Sequence, residues 1–335
     1  MSNPALVRVG PLSNLAEIII SLGYDPKPLF SRSGFSMEKF SNPDYKIPFV
    51  DGSKLLANCV KATGANHLGL ILGKASTPSH LGIAGYLLRV APNVKTALDS
   101  LVKFLDLHDE GGMPTLKTSG NVTYFGYAIH EPNAEAIEQI YDLSLVMICN
   151  IMQGLCGSSW HATEIFLTRK KPKEISIYKQ FFHSNLHFDA EFTAVSFPSY
   201  WLEKTLKFSD SLLFAHLKKE AEFLRTMNNI GLKTELRQLL RLCLMEDRCS
   251  LTNVARELGL HERTLNRRLQ AEGTTFRQEL EQVRYSVSQQ LLSATQASID
   301  EISLSLGYSD STSFIHAFKR WSGLPPAQWR DQLLN

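Results

Sequence analysis

Two stretches near the C-terminus follow one plan, and that plan constrains the fold more than anything else in the chain. They are "SLTNVARELGLHERTLNRRLQAEG" from Ser250 and "SIDEISLSLGYSDSTSFIHAFKRWSG" from Ser298. Each opens on a serine able to cap a helix, its oxygen accepting a hydrogen bond from a first-turn amide. Val254, Ala255 and Leu258 then share one side of a short helix, as do Ile302, Ser303 and Leu306. Gly259 and Gly307 can end these helices in the left-handed conformation that a residue without Cβ adopts freely. His261 and Ser309 are placed to cap a second helix. Leu265 and Leu269, or Phe314 and Phe318, anchor that helix on the first by their four-residue spacing. Each stretch predicts a helix-turn-helix. Between them "TFRQELEQVRYSVSQQLLSAT" predicts an unbroken helix of roughly 18 residues, about 27 Å long at the usual rise. Such a rod could hold two recognition helices roughly 34 Å apart, one duplex turn, with both entering successive major grooves.

The positions left over on the second helix of each unit face outward. In the first unit Arg263, Asn266 and Arg267 share a face, with Thr264 beside them and Arg268 to the side. Arginine can grip guanine through two hydrogen bonds, asparagine can do the same to adenine, and Arg268 suits a phosphate. In the second unit the outward side carries Ser311, Thr312, Ser313 and His316, with Lys319 and Arg320 nearer the far end. Double-stranded DNA is the partner these faces fit. Net charge argues the other way, since residues from Glu246 onward hold 10 Lys+Arg against 11 Asp+Glu. Attraction for phosphate must then come from local clusters and helix N-termini. The acids at 246, 247, 272, 279, 281, 300 and 301 are expected to face away from the duplex or toward the connector.

A chain of 335 residues accommodates two or three domains. Its 35 Lys+Arg against 33 Asp+Glu give no whole-chain pull toward nucleic acid or membrane. Five cysteines, at 59, 149, 156, 243 and 249, form no C-x-x-C pair, which predicts reduced thiols and a cytoplasmic location. The opening "MSNPALVRVGPLSN" has no basic segment leading into a long apolar one, so no signal peptide is expected. The most apolar stretch, 143–156, is interrupted by Asn150 and Gln153 and is too short to span a bilayer. Helices are expected over 12–23, capped by Ser13, and over 51–65, 94–107 and 134–156. Strands are expected within 120–132, 161–172 and 185–204. The fold class is α+β: a mixed helix and small-sheet sensor domain over 1–208, a helical linker over 209–230, and an all-α domain over 231–335 that holds the two units and their long connecting helix.

The C-terminal residues resemble the DNA-binding domain of the AraC/XylS family of bacterial transcription regulators over roughly 248–332. Gly307, Tyr308, Ser313, Phe314, Phe318, Lys319, Gly323, Pro325, Pro326 and Arg330 fall on the family pattern. The resemblance implies that Arg263, Asn266 and Arg267 occupy base-reading positions of the first unit, and Thr312, Ser313 and His316 those of the second. Arginine is common where His316 stands, and a neutral histidine reads bases less strongly. "HLGLILGKASTPSHLGIAGYLLRVAPNVKTALDSLVKF" and "FTAVSFPSYWLEKTL" are similar to the sensor domain of AraC-type regulators of amino-acid catabolism. That likeness implies a domain binding a small-molecule effector, a homodimer, RNA polymerase as a further partner, and activation rather than repression.

A sensor needs an apolar pocket with a few polar anchors. Tyr86, Phe104, Tyr124, Phe125 and Tyr127 are the aromatic candidates for its lining. His183 and His187, four apart, have no evident third ligand and are read as structural, as is His161; Cys149 and Cys156 suit core packing. His108, Asp109 and Glu110 precede Gly111-Gly112 and are read as a polar loop. No G-x-S-x-G, H-E-x-x-H or P-loop occurs, so no catalytic residue, metal or cofactor is expected. Two rivals remain. The helical tail could serve protein–protein contact, or the first domain could be an enzyme, which a buried acid–base pair with shifted pKa values in its cavity would favour.

Overall fold

The computed structural model describes residues 4–131, 133–227, 232–245, 249–294 and 297–334. It divides into two units, Met1–Leu224 and Arg225–Asn335, with the boundary inside the helix Ser211–Met227.

The first unit is built from helices around a small sheet. Strands β1 (Leu6–Arg8) and β2 (Lys46–Pro48) pair antiparallel near the N-terminus. Strands β3 (Gly112–Ser119), β4 (Val122–Ile129), β5 (Glu164–Phe166), β6 (Asn185–His187) and β7 (Ala194–Pro198) form one sheet in the order β3-β4-β7-β5-β6, antiparallel except for β5 against β6. The alternation read in 120–132 is that of β4. Thr123, Phe125, Tyr127 and Ile129 are buried on one face, while Tyr124 lies on the other, against Phe166 and Phe192.

The apolar stretch at 143–156 belongs to the helix Ile137–Cys156, which packs across the helix Leu68–Ala75. The two backbones approach so closely that a Cβ on Gly69 would meet the Gln139 carbonyl oxygen at 2.1 Å. The expected helix over 12–23 is instead a 3₁₀ turn, Gly10–Leu12, followed by the helix Leu15–Ser21. Ser13 caps nothing there; its hydroxyl donates backward to the Gly10 carbonyl at 2.7 Å. Much of the segment expected as a linker belongs to the first unit: Ala221 is fully buried, and Glu222 pairs with Lys103 at 3.1 Å. The helix break read at 228–231 lies outside the described residues.

Among the described residues the second unit is helical throughout. The helix Leu232–Met245 packs on the first helix pair, Leu251–Glu257 and Glu262–Ala271. The connector helix Phe276–Ala294 leads to the second pair, Ile299–Ser305 and Ser311–Ser322, and the chain closes with the helix Pro326–Leu334. There are two small cores. Leu236, Leu240, Val254, Leu265 and Leu269 centre the first; Leu292, Ile302, Leu306, Phe314 and Phe318 form the second. The connector serves both, with Val283 buried in the first, Leu292 in the second, and Val287 packed against each.

Candidate DNA interface and effector cavity

Both helix pairs have the turn that the sequence requires. Gly259 has φ +64° and Gly307 φ +70°, the left-handed region where a side chain would be strained. Ser250 accepts from the Asn253 amide, Ser298 forms a reciprocal capping box with Glu301, and His261 Nδ1 accepts from the Arg263 amide at 3.3 Å. The second recognition helix differs from expectation. Its cap is Asp310, not Ser309, with Oδ1 accepting from the Ser313 amide at 2.7 Å. A carboxylate one residue later reaches the free amides better than a serine hydroxyl, and Ser309 instead donates to Asp310.

Leu265 and Leu269 are fully buried, which turns Arg263, Arg267 and Arg268 to solvent and leaves Thr264 and Asn266 half-buried at the edge of that face. Among the described residues no acidic side chain pairs with any of these three arginines. In the second unit Thr312, Ser313, His316, Lys319 and Arg320 are exposed and Ser311 is half-buried. Two of these are already engaged. The Ser313 hydroxyl donates to Asp310 at 2.8 Å, and Arg320 pairs with Glu281 of the connector at 3.2 Å.

The acids that opposed DNA binding are accounted for in part. Glu279 is buried and takes Arg237 at 2.5 Å and the Thr274 hydroxyl at 2.6 Å. Glu281 holds Arg277 and Arg320, and Glu301 is spent in its capping box. Glu272 and Asp300 are exposed; residues 246 and 247 lie outside the described residues.

The first unit holds a partly open cavity of about 110 Å³. Phe125 and Tyr127 line it from β4, facing Leu143, Ser144 and Met147 of the helix Ile137–Cys156. The other three aromatic candidates are elsewhere: Tyr86 is half exposed, Tyr124 is on the opposite sheet face, and Phe104 is buried in the core without reaching the wall. Residues read as a polar loop take their place. His108 and Asp109 are 4 % and 5 % exposed and line the cavity with Arg8. Asp109 accepts from the Tyr127 hydroxyl and from the Gly111 amide at 2.8 Å, a turn chemistry that Asp followed by glycines allows. Burial raises its carboxyl to about 6 despite those donors. Burial, then the charges of Arg8, Lys46 and His80, push His108 down to about 3, so its ring is neutral. Periodicity could not place this loop indoors, because loops carry no repeating signal.

His183 ends a short helix in a left-handed conformation, and His187 sits in β6 beside Glu164. No group of three or more metal-ligating side chains occurs among the described residues, and none of the described helices is long and apolar enough to cross a membrane.

The sequence model described as the N-terminal arabinose-binding domain of AraC transcription regulators matches residues 23–206. The chain belongs to the AraC family of transcription regulators. A helix-turn-helix domain model matches residues 254–332. The chain is 26% identical over 337 residues to the ornithine utilization regulator of Pseudomonas aeruginosa, covering 97% of this chain and 96% of that one. It is 22% identical over 328 residues to the transcriptional regulator VirS of Mycobacterium tuberculosis, with the same coverage. The crystal structure of the regulator CdpR from Pseudomonas aeruginosa aligns with a TM-score of 0.46 at 23% identity, covering 91% of this chain and 96% of that one. As an AraC-family member the protein is a DNA-binding transcription regulator with an N-terminal ligand-binding domain, and its relatives are regulators rather than enzymes. The buried His108 and Asp109 have the shifted pKa values set as the criterion for an enzyme, with Asp109 held by Tyr127 and the Gly111 amide. The likenesses do not favour a tail devoted to protein–protein contact.

Proposed function

We propose that the protein is a cytoplasmic, homodimeric activator that binds promoter DNA through both helix pairs and is controlled by a small organic effector held in the first unit. The observation that carries this reading is the exposed face of Arg263 and Arg267, which no acidic side chain pairs among the described residues, repeated in altered form at Thr312 and His316 on the same connector. Arg263, Asn266 and Arg267 read bases in one major groove; Thr312, Ser313 and His316 read the next. Arg268 and Lys319 hold phosphates, with Thr264 and Ser311 at the edges of the two faces. The helix Ser211–Met227 supplies the dimer contact, since Leu212 and Phe223, eleven residues apart on one face, are 86% and 56% exposed. RNA polymerase is the partner at the promoter. A relative named for ornithine utilization supports control by a metabolite.

The test is electrophoretic mobility shift with fragments upstream of neighbouring genes, at fixed salt and with random duplex as competitor. Retention of one fragment against a hundredfold excess of competitor is expected. Equal loss of every fragment contradicts sequence-specific binding.

A further inference from the structure

The cavity's wall is a filter on what can enter. Most of it is hydrocarbon, from Leu56, Leu101, Phe125, Leu143, Ile148 and Ile151. Its polar side chains are nearly all committed. The Ser53 and Ser144 hydroxyls donate to the Val50 and Ile140 carbonyls at 2.7 and 2.8 Å. Both Asp109 oxygens accept, Tyr127 donates to one of them, and Arg8 gives one of its donors, Nη2, to Asp44. His108 and the remaining donors of Arg8 are the exceptions among the described residues. The His108 Nδ1 is buried and has no hydrogen-bond partner among the described residues. That atom has no accessible surface, so a molecule in the cavity meets the ring through its other nitrogen, Nε2, which makes no hydrogen bond among the described residues.

A sugar would bring a hydroxyl on nearly every carbon, and a diamino acid would bring several charges. A wall that is mostly hydrocarbon cannot pair that many groups, and burying them unpaired is prohibitive. We propose that the effector is a mostly apolar molecule with a single oxygen head group, carboxylate or hydroxyl, which hydrogen-bonds His108 while its body lies between β4 and the helix Ile137–Cys156. The cavity of about 110 Å³ suits one small ligand. A medium-chain acid or alcohol is the simplest molecule of this class. The assignment rests on the ligand-binding role of this domain and narrows it to one chemical class.

Isothermal titration calorimetry on the full chain tests it, with octanoate and 1-octanol as probes and L-ornithine and L-arabinose for comparison. Saturable binding of octanoate or 1-octanol, one per chain, is expected, with neither comparison compound binding at the same concentration. Tighter binding of octanoate identifies a carboxylate head; the reverse identifies a hydroxyl. His108→Leu should weaken binding about tenfold, the value of one hydrogen bond. Ser144→Leu, which fills the space from the opposite wall, should abolish it, with helical circular dichroism unchanged in both variants. Binding of L-ornithine or L-arabinose alone, no binding of either probe, or probe binding indifferent to both substitutions overturns the assignment. Promoter binding is measured separately, so the regulator reading stands or falls on its own.

Discussion

Arg320, on the second recognition helix, pairs with Glu281 of the connector at 3.2 Å, and Glu281 also holds Arg277 at 3.3 Å. A cation that the sequence places toward the duplex is thus drawn back to the rod that carries it. Lys319, its neighbour, is exposed and has no such acid beside it among the described residues. Lys319→Ala is expected to reduce the slope of log K against log salt by about one, as for a lost phosphate contact. Arg320→Ala should change that slope by clearly less. Fluorescence anisotropy of a labelled promoter duplex across a salt series separates the two.

Arg267 faces solvent from a helix fixed by Leu265 and Leu269. Arg267→Ala should weaken binding to the specific site by about 1–3 kcal/mol and leave random duplex nearly unaffected. Competition binding against both duplexes checks this; an equal loss on each would make Arg267 a phosphate contact only.

Arg284 holds the second helix pair to the connector. Its Nε donates to the Leu306 carbonyl at 2.9 Å, its Nη2 to the Gly307 carbonyl at 3.1 Å, and its guanidinium lies 4.6 Å from the Tyr308 ring centre. Those carbonyls end the helix Ile299–Ser305 and have no helical partner of their own. Arg284→Met should destabilise the second unit by about 1–3 kcal/mol. Urea unfolding compared with the unsubstituted protein measures the loss.

His108 titrates at about 3 in the folded chain and near 6.5 when unfolded, so between those values the unfolded state binds more protons. Its contribution to stability is full above pH 6.5 and is lost as pH falls toward 3. The difference between pH 7 and pH 5 is about 2 kcal/mol. Asp109, raised to about 6, acts in the opposite sense, because its folded form binds the extra proton between 3.8 and 6. Comparison with His108→Leu isolates the histidine: acidification from pH 7 to 5 should lower the Tm of the native chain more than that of the variant.

The helix pairs were legible because each depends on local chemistry. A serine cap, a left-handed glycine and two apolar residues four apart are enough to specify the turn at Gly259 or Gly307. The cap at Asp310 was misassigned by one residue, since Ser309 and Asp310 both suit the role and only backbone geometry separates them. Phe125 and Tyr127, named with Tyr124 for their aromatic rings, line the cavity because strand alternation puts them on one face, and the same rule excludes Tyr124. Tyr86 and Phe104 show the limit of choosing by residue type alone. Arg8, His108 and Asp109 were out of reach, as the β1 strand and the turn before β3 come together across a hundred residues of chain. No local pattern encodes that meeting.

The central claim is that two recognition helices on one connector read one face of the duplex. Dimethyl sulfate protection of guanine N7 on a bound promoter fragment tests it most directly. Each protomer is expected to protect two patches of major groove about 10 base pairs apart, with Arg267→Ala losing one patch and His316→Ala the other. Protection confined to a single groove, or the same patch lost in both variants, would contradict the account.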